Sequence, residues 1–411
     1  MPHVRKNMLQ FVFSGSYLLR WNDKLRPMEL QEIDKQAHKL LVAYILFNEN
    51  SREMQPLQKI DLARQIIEGA LFDYLYRLII TDIKPPVFYK IRENREHYRQ
   101  LTAYVLSRLE PIFSPLGPFW DRMTKWHLSD EGEDDLAHRI LKVSHLYASR
   151  WEFNIIKPAN PFDEEMGFIH QSFEDGLANF RDLAGVQEIL YPGALASFAS
   201  LCGQLRFQIR WTQVPRIPAT SVLGHMFLVA TYGYFFSMTI GACQARANNN
   251  FFGGLLHDLA ELLTRDIISP VKQSIPSLPE IIKQYEISEL ERRILNPLKR
   301  DGFEDLSHSL RYHLGLDVGS EFQDCYFRDG KAIPVNGFQE MAKFNMDNLE
   351  PKDGQLLKMC DWLAAFLEAH SSIRNGISSP HLVEAQARLK EKIWDSPLEC
   401  LNLNALLADF D

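Results

Sequence analysis

Cysteine is scarce in this chain: five residues among 411, an odd number. They are Cys202, Cys243, Cys325, Cys360 and Cys400, and no two stand at CxxC spacing. That pattern excludes a disulfide framework and a thiolate zinc site, and it points to a reducing, cytoplasmic setting. Positive charge is also short. The 45 Lys and Arg residues face 53 Asp and Glu residues, the formal net charge is −8, and no Lys/Arg-rich block appears. A nucleic-acid partner is therefore not expected. An anionic small substrate would meet mild repulsion from the whole protein, so its site needs a local positive centre, either a bound metal or an arginine. Strand signals are few. The clearest is DCYFRDGKAIPV (324–335), where Asp329-Gly330 has the chemistry of a tight hairpin turn. The start, MPHVRKNMLQF, lacks the charged-then-apolar pattern of a signal peptide, and no low-complexity tract stands out. One run, residues 226–245, carries no charge and has the length of a membrane span. It contains Thr, Ser, Gln and two Gly and has no companion, so the expectation is a helix buried in a helical core, with no membrane partner.

What the chain does have is helical periodicity. The segments HKLLVAYILFN, DLARQIIEGALFDYLYRLII, DLAHRILKVSHLYASRWEF, SVLGHMFLVATYGYFFSM, GLLHDLAELLTRDI and GQLLKMCDWLAAFLEAHSSI place apolar residues three and four apart. Thr220 or Ser221 is placed to cap the fourth. Breaks at IKPANPF (156–162) and YPGA (191–194) put a boundary near residue 190.

Short matches recur in the same order on either side of that boundary. LLRW (18–21) pairs with QIRW (208–211), AHKLLVAY (37–44) with GHMFLVAT (224–231), and GALFD (69–73) with GLLHD (254–258). TDIKPPV (81–87) pairs with RDIISPV (265–271), and ILKVSHLYA (140–148) with LLKMCDWLA (356–364). Each match is weak alone, but five in order mark an internal repeat of one helical unit. In this register the second unit has His225, His257, Asp258 and Asp361 where the first has His38, Phe72, Asp73 and His145.

Two imidazoles and two carboxylates form a mixed nitrogen and oxygen set suited to Mn, Co, Fe, Ni or Zn. Adjacent helical residues point about 100° apart, so His257 and Asp258 share a ligand only in the groove between them, closed by another helix carrying His225 or Asp361. Such a site would leave positions for water, which the metal would acidify into a nucleophile. In the first unit, His38, Asp73 and His145 would still offer two imidazoles and a carboxylate.

The second unit resembles the HD-domain metal-dependent phosphohydrolases, and within them the bacterial 5′-deoxynucleotidase branch. The resemblance rests on IRW (209–211), SVLGH (221–225), HDLAELLTRDIISPVK (257–272) and the late aspartate of KMCDWLAAFLEA (358–369). It implies an all-α fold made of two tandem HD-type helical domains, residues 1–190 degenerate and residues 191–411 carrying the site, with a small β-hairpin inserted in the second. It also implies His225, His257, Asp258 and Asp361 as metal ligands, Glu261 as the catalytic carboxylate alongside Asp258, Arg210 on the substrate phosphate, Trp211 beside the sugar 2′ position, and Asp266 near the sugar and phosphate. The reaction expected from the resemblance is metal-dependent release of phosphate from a nucleotide, foremost a (deoxy)nucleoside 5′-monophosphate. The related alternatives are hydrolysis of a nucleoside triphosphate, an alarmone or a cyclic dinucleotide, or nucleotide binding without catalysis. Relatives of that branch associate as dimers, so either a homo-oligomer or an intrachain pseudo-dimer of the two units is expected. One departure is Gly224, where the family commonly has a glutamate before the first histidine. Another is the long stretch between Asp258 and Asp361, which holds the hairpin signal.

Overall fold

The computed structural model describes residues 3–129, 135–265 and 275–410. The fold is all-α with one small β-hairpin, as expected. In the first half the helices are α1 (Lys6–Phe13), α2 (Glu32–Asn50), α3 (Pro56–Ile80), α4 (Pro85–Glu93), α5 (Arg95–Phe113), α6 (Pro118–Leu128), α7 (Leu136–Ile156), α8 (Glu165–Ala178) and α9 (Val186–Leu190). The second half continues with α10 (Ala194–Gln204), α11 (Val222–Thr239), α12 (Gln244–Leu256), α13 (Glu261–Thr264), α14 (Leu278–Leu290), α15 (Asn296–Arg300) and α16 (Glu304–His313). After strands β1 (Cys325–Arg328) and β2 (Lys331–Pro334) come α17 (Gly354–Arg374), α18 (Pro380–Trp394) and α19 (Leu403–Ala408).

The uncharged run falls largely in α11, whose residues from Val222 to Ser237 are all buried. No helix among the described residues is long and apolar enough to cross a membrane. Its burial comes from packing on α12, α17 and α2. A helix apolar on every side belongs in the middle of a helical core. That core is continuous: one hydrophobic cluster runs from Met8 to Phe410 and draws on both halves. Each half lends its first helix to the other. Tyr232 of α11 donates to Leu9 O in α1 (2.9 Å), and α10 packs on α2, where His38 Nε2 lies 2.9 Å from Ala199 O.

Small backbone features recur between the halves. An isolated bridge joins Leu19 to Gln31 in the first and Ile209 to Ser221 in the second. Trp21 and Trp211 both take positive φ, at 58° and 59°, and so do Thr81 and Arg265, at 57° and 67°. Such angles are uncommon for bulky side chains, so their recurrence in order is informative.

These bridges correct the register read from the sequence. Gln31 corresponds to Ser221, so the residue matching His225, four further on in each helix, is Lys35 and not His38. The sequence between the bridge and Phe72 is longer than that between the second bridge and His257. The near-equal spacing from His38 and His225 therefore selects the wrong residue. The expected helix 254–267 is also interrupted. α12 ends at Leu256, residues 257–260 form a turn, and Glu261 opens the short α13.

The hairpin forms where expected, with Arg328 opposite Lys331 and both Asp329 and Gly330 at positive φ, as a two-residue primed turn requires. Its base is tied to the core by Lys352. This side chain is fully buried and donates to the carbonyls of Tyr312 (3.3 Å), His313 (3.0 Å) and Glu321 (3.2 Å). Those bonds satisfy all three ammonium protons and hold the inserted segment against the second half.

Candidate metal centre

Three elements bring the second half's polar residues together. His225 lies on the first turn of α11. Ser221 caps that helix by accepting from Gly224 N at 2.9 Å. His257 follows the end of α12, and Asp361 lies on α17. The helices α11 and α12 cross closely because Gly254 has no side chain: a Cβ there would sit 2.7 Å from Ala230 Cα. Arg210 and Trp211 sit on the loop before α11, held by Arg210 N→Thr220 O (2.9 Å) and Val222 N→Gln208 O (2.9 Å).

Among the described residues, the one group of His, Cys, Asp or Glu ligand atoms lying mutually within 4.8 Å is His225, His257 and Asp258. His257 Nε2 is 3.1 Å from Asp258 Oδ2, and His225 Nε2 is 4.0 Å from the same oxygen. Asp361 falls outside that mutual limit but sits at the edge of the group, its Oδ1 3.1 Å from His225 Nε2. The adjacent pair His257-Asp258 thus faces one point and α17 closes it from the other side, the arrangement expected from the sequence.

The outer nitrogens of both imidazoles face oxygen acceptors. His225 Nδ1 lies 3.3 Å from Glu368 Oε1, and His257 Nδ1 lies 2.8 Å from Gly254 O. Each Nδ1 can thus donate to an oxygen behind the ring, which leaves Nε2 of the neutral imidazole to turn toward a cation among the carboxylates. The Nε2 of His257 is buried and makes no hydrogen bond of good geometry. A ring of acceptors facing acceptors is satisfied by a cation in their midst, and a carboxylate or carbonyl behind each imidazole is the usual support of such a site. The donor set therefore fits a divalent transition metal.

The electrostatics point the same way. Burial alone would raise the Asp258 carboxyl, but His257, His225 and Arg210 together hold it well below the usual carboxylate range. Asp361 is held down against the same burial by Lys358, whose Nζ donates to Oδ2 at 3.0 Å, and by His225. For His225 itself, burial and the Arg210 charge oppose protonation, yet Glu368 and Asp361 leave its pKa above the ordinary value. All of this follows from negative charge concentrated around buried imidazoles.

Arg210 lies 3.5 Å from Asp258 Oδ2 through Nη1 and 3.3 Å from Glu368 Oε2 through Nε. Trp211 Nε1 donates to Glu368 Oε2 at 2.7 Å, so this tryptophan is braced by a carboxylate within the protein. Glu261 is buried at the head of α13, and Gln208 Nε2 donates to its backbone carbonyl at 2.9 Å. It belongs to a separate short helix and not to one continuous with His257. Asp266 lies outside the described residues. The departure at Gly224 has a packing reason: a Cβ there would meet Asp34 Oδ1 at 2.7 Å.

Three residues near the centre were missed in the sequence. Glu368 is fully buried and joins His225, Arg210 and Trp211. A signal for it existed, since a glutamate follows Asp361 and His145 at the same interval, as Glu368 and Glu152. Phe322, from the inserted segment, packs its ring 5.8 Å from that of His257, and Lys358 sits 4.2 Å over the Phe322 ring. Neither carries a pattern that sequence alone marks.

The first half keeps the brace and changes the centre. Arg20 Nε and Trp21 Nε1 both reach Glu152 Oε2, at 2.8 and 3.0 Å, as Arg210 and Trp211 reach Glu368. But Lys35 Nζ lies 2.6 Å from His145 Nδ1, and Lys39 Nζ pairs with Asp73 Oδ2 at 3.0 Å. Phe72 packs on Phe119 and Trp126, with ring centroids 5.0 and 6.1 Å away. His38, engaged with Ala199 O, does not join Asp73 and His145 in a ligand group.

No curated protein and no solved structure matches the chain. Residues 202–390, a little under half of it, match the model of the family described as HD domain. That stretch holds His225, His257, Asp258 and Asp361, and the match supports placing it in the HD-domain superfamily, whose members are in general metal-dependent phosphohydrolases.

Proposed function

We propose that the second half, residues 191–411, is a phosphohydrolase releasing orthophosphate from a (deoxy)nucleoside 5′-monophosphate. The observation that carries this reading is the convergence of His225, His257 and Asp258 with Asp361, beside the guanidinium of Arg210. His225, His257, Asp258 and Asp361 would hold the metal, one of Mn, Co, Fe, Ni or Zn. Such an ion supplies Lewis acidity and an acidified water at neutral pH. Arg210 binds the substrate phosphate, a task suited to a planar, permanently charged fork. Glu261 moves the proton at the reacting or leaving oxygen. Trp211 and Asp266 border the sugar. The narrower assignment to a nucleoside monophosphate is supported by the motif HDLAELLTRDIISPVK and by IRW, which resemble the 5′-deoxynucleotidase branch. The first half, residues 1–190, is read as a degenerate copy of the same unit. The recurring bridges, tryptophan backbones and Arg-Trp-Glu braces support that reading.

The test is phosphate release from the deoxynucleoside monophosphates with Mn²⁺ or Co²⁺, comparing wild type with Asp258→Ala. The variant should lose activity by about a hundredfold or more, since it removes both a metal ligand and the partner of His257 and Arg210. Equal release by the two proteins would refute the site. Pyrophosphate or triphosphate as product would shift the reading to an alarmone or nucleoside triphosphate, and binding without turnover under every divalent metal would make the protein a non-catalytic nucleotide binder.

A further inference from the structure

Lys35 is the unexplained group in the first half. Its side chain is 1% exposed, and among the described residues its Nζ has one hydrogen-bond partner, His145 Nδ1. Among the described residues no carboxylate oxygen lies within salt-bridge distance of it, although the Glu32 charge attracts it. The nearby Glu32 is taken by Arg20 (2.7 Å) and Gln36 (2.6 Å), and Glu152 by Arg20, Trp21 and Arg206. A buried ammonium without a carboxylate is costly, and an imidazole offers it no charge. Burial pushes Lys35 well below its ordinary pKa, with Glu32 and Glu152 offsetting this only in part against Arg20 and Lys39, and burial with the Lys35, Lys39 and Arg20 charges does the same to His145.

His145 is the solvent-facing member of the pair. His145 is exposed although protein atoms surround it, and the Asp73 side chain is 43% exposed beside Lys39. Lys35 and Lys39 therefore lie directly behind the solvent-facing side chains of His145 and Asp73. Beside them stands a brace like that of the second half's centre, with Arg20, Trp21 and Glu152 in place of Arg210, Trp211 and Glu368.

We infer that this first-half cluster binds a phosphate monoester dianion without a metal, with the Lys35 side chain supplying from within the protein the positive charge that a metal would bring beside His225. Two ammonium groups one helical turn apart and an imidazole present several donors to one tetrahedral anion. The cluster holds its ligand and does not hydrolyse it, because Phe72 and Lys35 replace two of the second half's candidate ligands. This inference rests on the two-copy reading but not on hydrolysis by the second half.

The experiment uses the full chain in excess EDTA, titrated calorimetrically with inorganic phosphate and, separately, with deoxyadenosine monophosphate. Saturable binding is expected, weakened about tenfold or more by Lys35→Met and largely kept by Lys35→Arg. Tighter binding of the nucleotide than of phosphate identifies the ligand as the ester, and equal binding identifies free phosphate; both uphold the site. A second measurement needs no variant: diethyl pyrocarbonate modification of His145, read by peptide mass spectrometry, should slow severalfold when phosphate is present. Absence of saturable binding in EDTA, indifference to Lys35→Met, or unchanged His145 modification would each overturn the inference. Chelation keeps the outcome independent of whether the second half proves to be a hydrolase.

Discussion

The two halves each hold an Arg-Trp pair on a buried glutamate and surround it with different charges. In the second, two imidazoles and two carboxylates converge, and negative charge exceeds what the surrounding cations balance. In the first, Lys35 meets His145 and Lys39 meets Asp73, so lysines lie beside the brace in place of paired imidazoles and carboxylates. Glu152 and Glu368 are nonetheless kept, each bracing an Arg-Trp pair on a strained loop. The brace is thus common to both halves, and what differs between them is the set of charged residues beside it. This changes the weight given to Trp211. Its counterpart Trp21 holds the same posture beside a cluster with no metal ligand group, so the posture alone does not imply substrate contact.

The comparison is broken most completely by His257→Phe, which gives the second half the residue found at Phe72. Metal content after purification and phosphate release should both fall to background, measured by elemental analysis and by orthophosphate assay. Retention of a full equivalent of metal would show that His225, Asp258 and Asp361 suffice. Next comes Glu368→Gln, which keeps the size of the brace but removes the charge behind His225. Losses of supporting carboxylates in metal sites cost roughly 10- to 100-fold, and a drop of that order is expected in both metal affinity and activity. An unchanged metal affinity would make Glu368 a brace for Trp211 alone.

The smallest effect concerns the seam between the halves. Asp34 of α2 accepts from Ser221 Oγ at 2.6 Å, and Ser221 in turn caps the helix of His225. Burial pushes the Asp34 carboxyl up to about 6 from 3.8, only partly offset by Arg206 and Ser221. The folded state then holds this proton more tightly than the unfolded chain. Its contribution to stability is greatest below about pH 4 and is lost as pH rises through about 6, by up to about 3 kcal/mol. Asp34→Asn should flatten that slope, as read from urea midpoints between acidic and neutral pH. The slope should persist if another buried acid causes it.

Much of the fold was legible because helical periodicity is local. The segments that became α2, α3, α7, α11 and α17 each show a complete pattern, and Asp329-Gly330 alone specified the hairpin turn. The segment around His257 read as one helix because its apolar spacing continues through Glu261. The chain breaks there because Asp258 and His257 are turned toward a shared point, a demand that arises between helices and not within one. The same limit explains His38. A histidine at matching sequence distance looks equivalent, but equivalence is set by where each helix starts relative to its bridge, and helix-to-helix connections absorb extra residues without leaving a periodic trace.

The sequence by itself determined the helical class and the hairpin, because residue type and spacing carry that information, while the resemblance to the HD-domain phosphohydrolases singled out His225, His257, Asp258 and Asp361 as a candidate set. Only the tertiary structure decided that Lys35 follows its bridge at the interval at which His225 follows its own, that Glu368 stands behind the centre, that Phe322 reaches it from the segment between Asp258 and Asp361, and that Gly224 yields its space to Asp34. Each of these depends on side chains distant in sequence meeting in a core shared by both halves. Such contacts are fixed by packing and charge balance, which no single stretch of the chain contains.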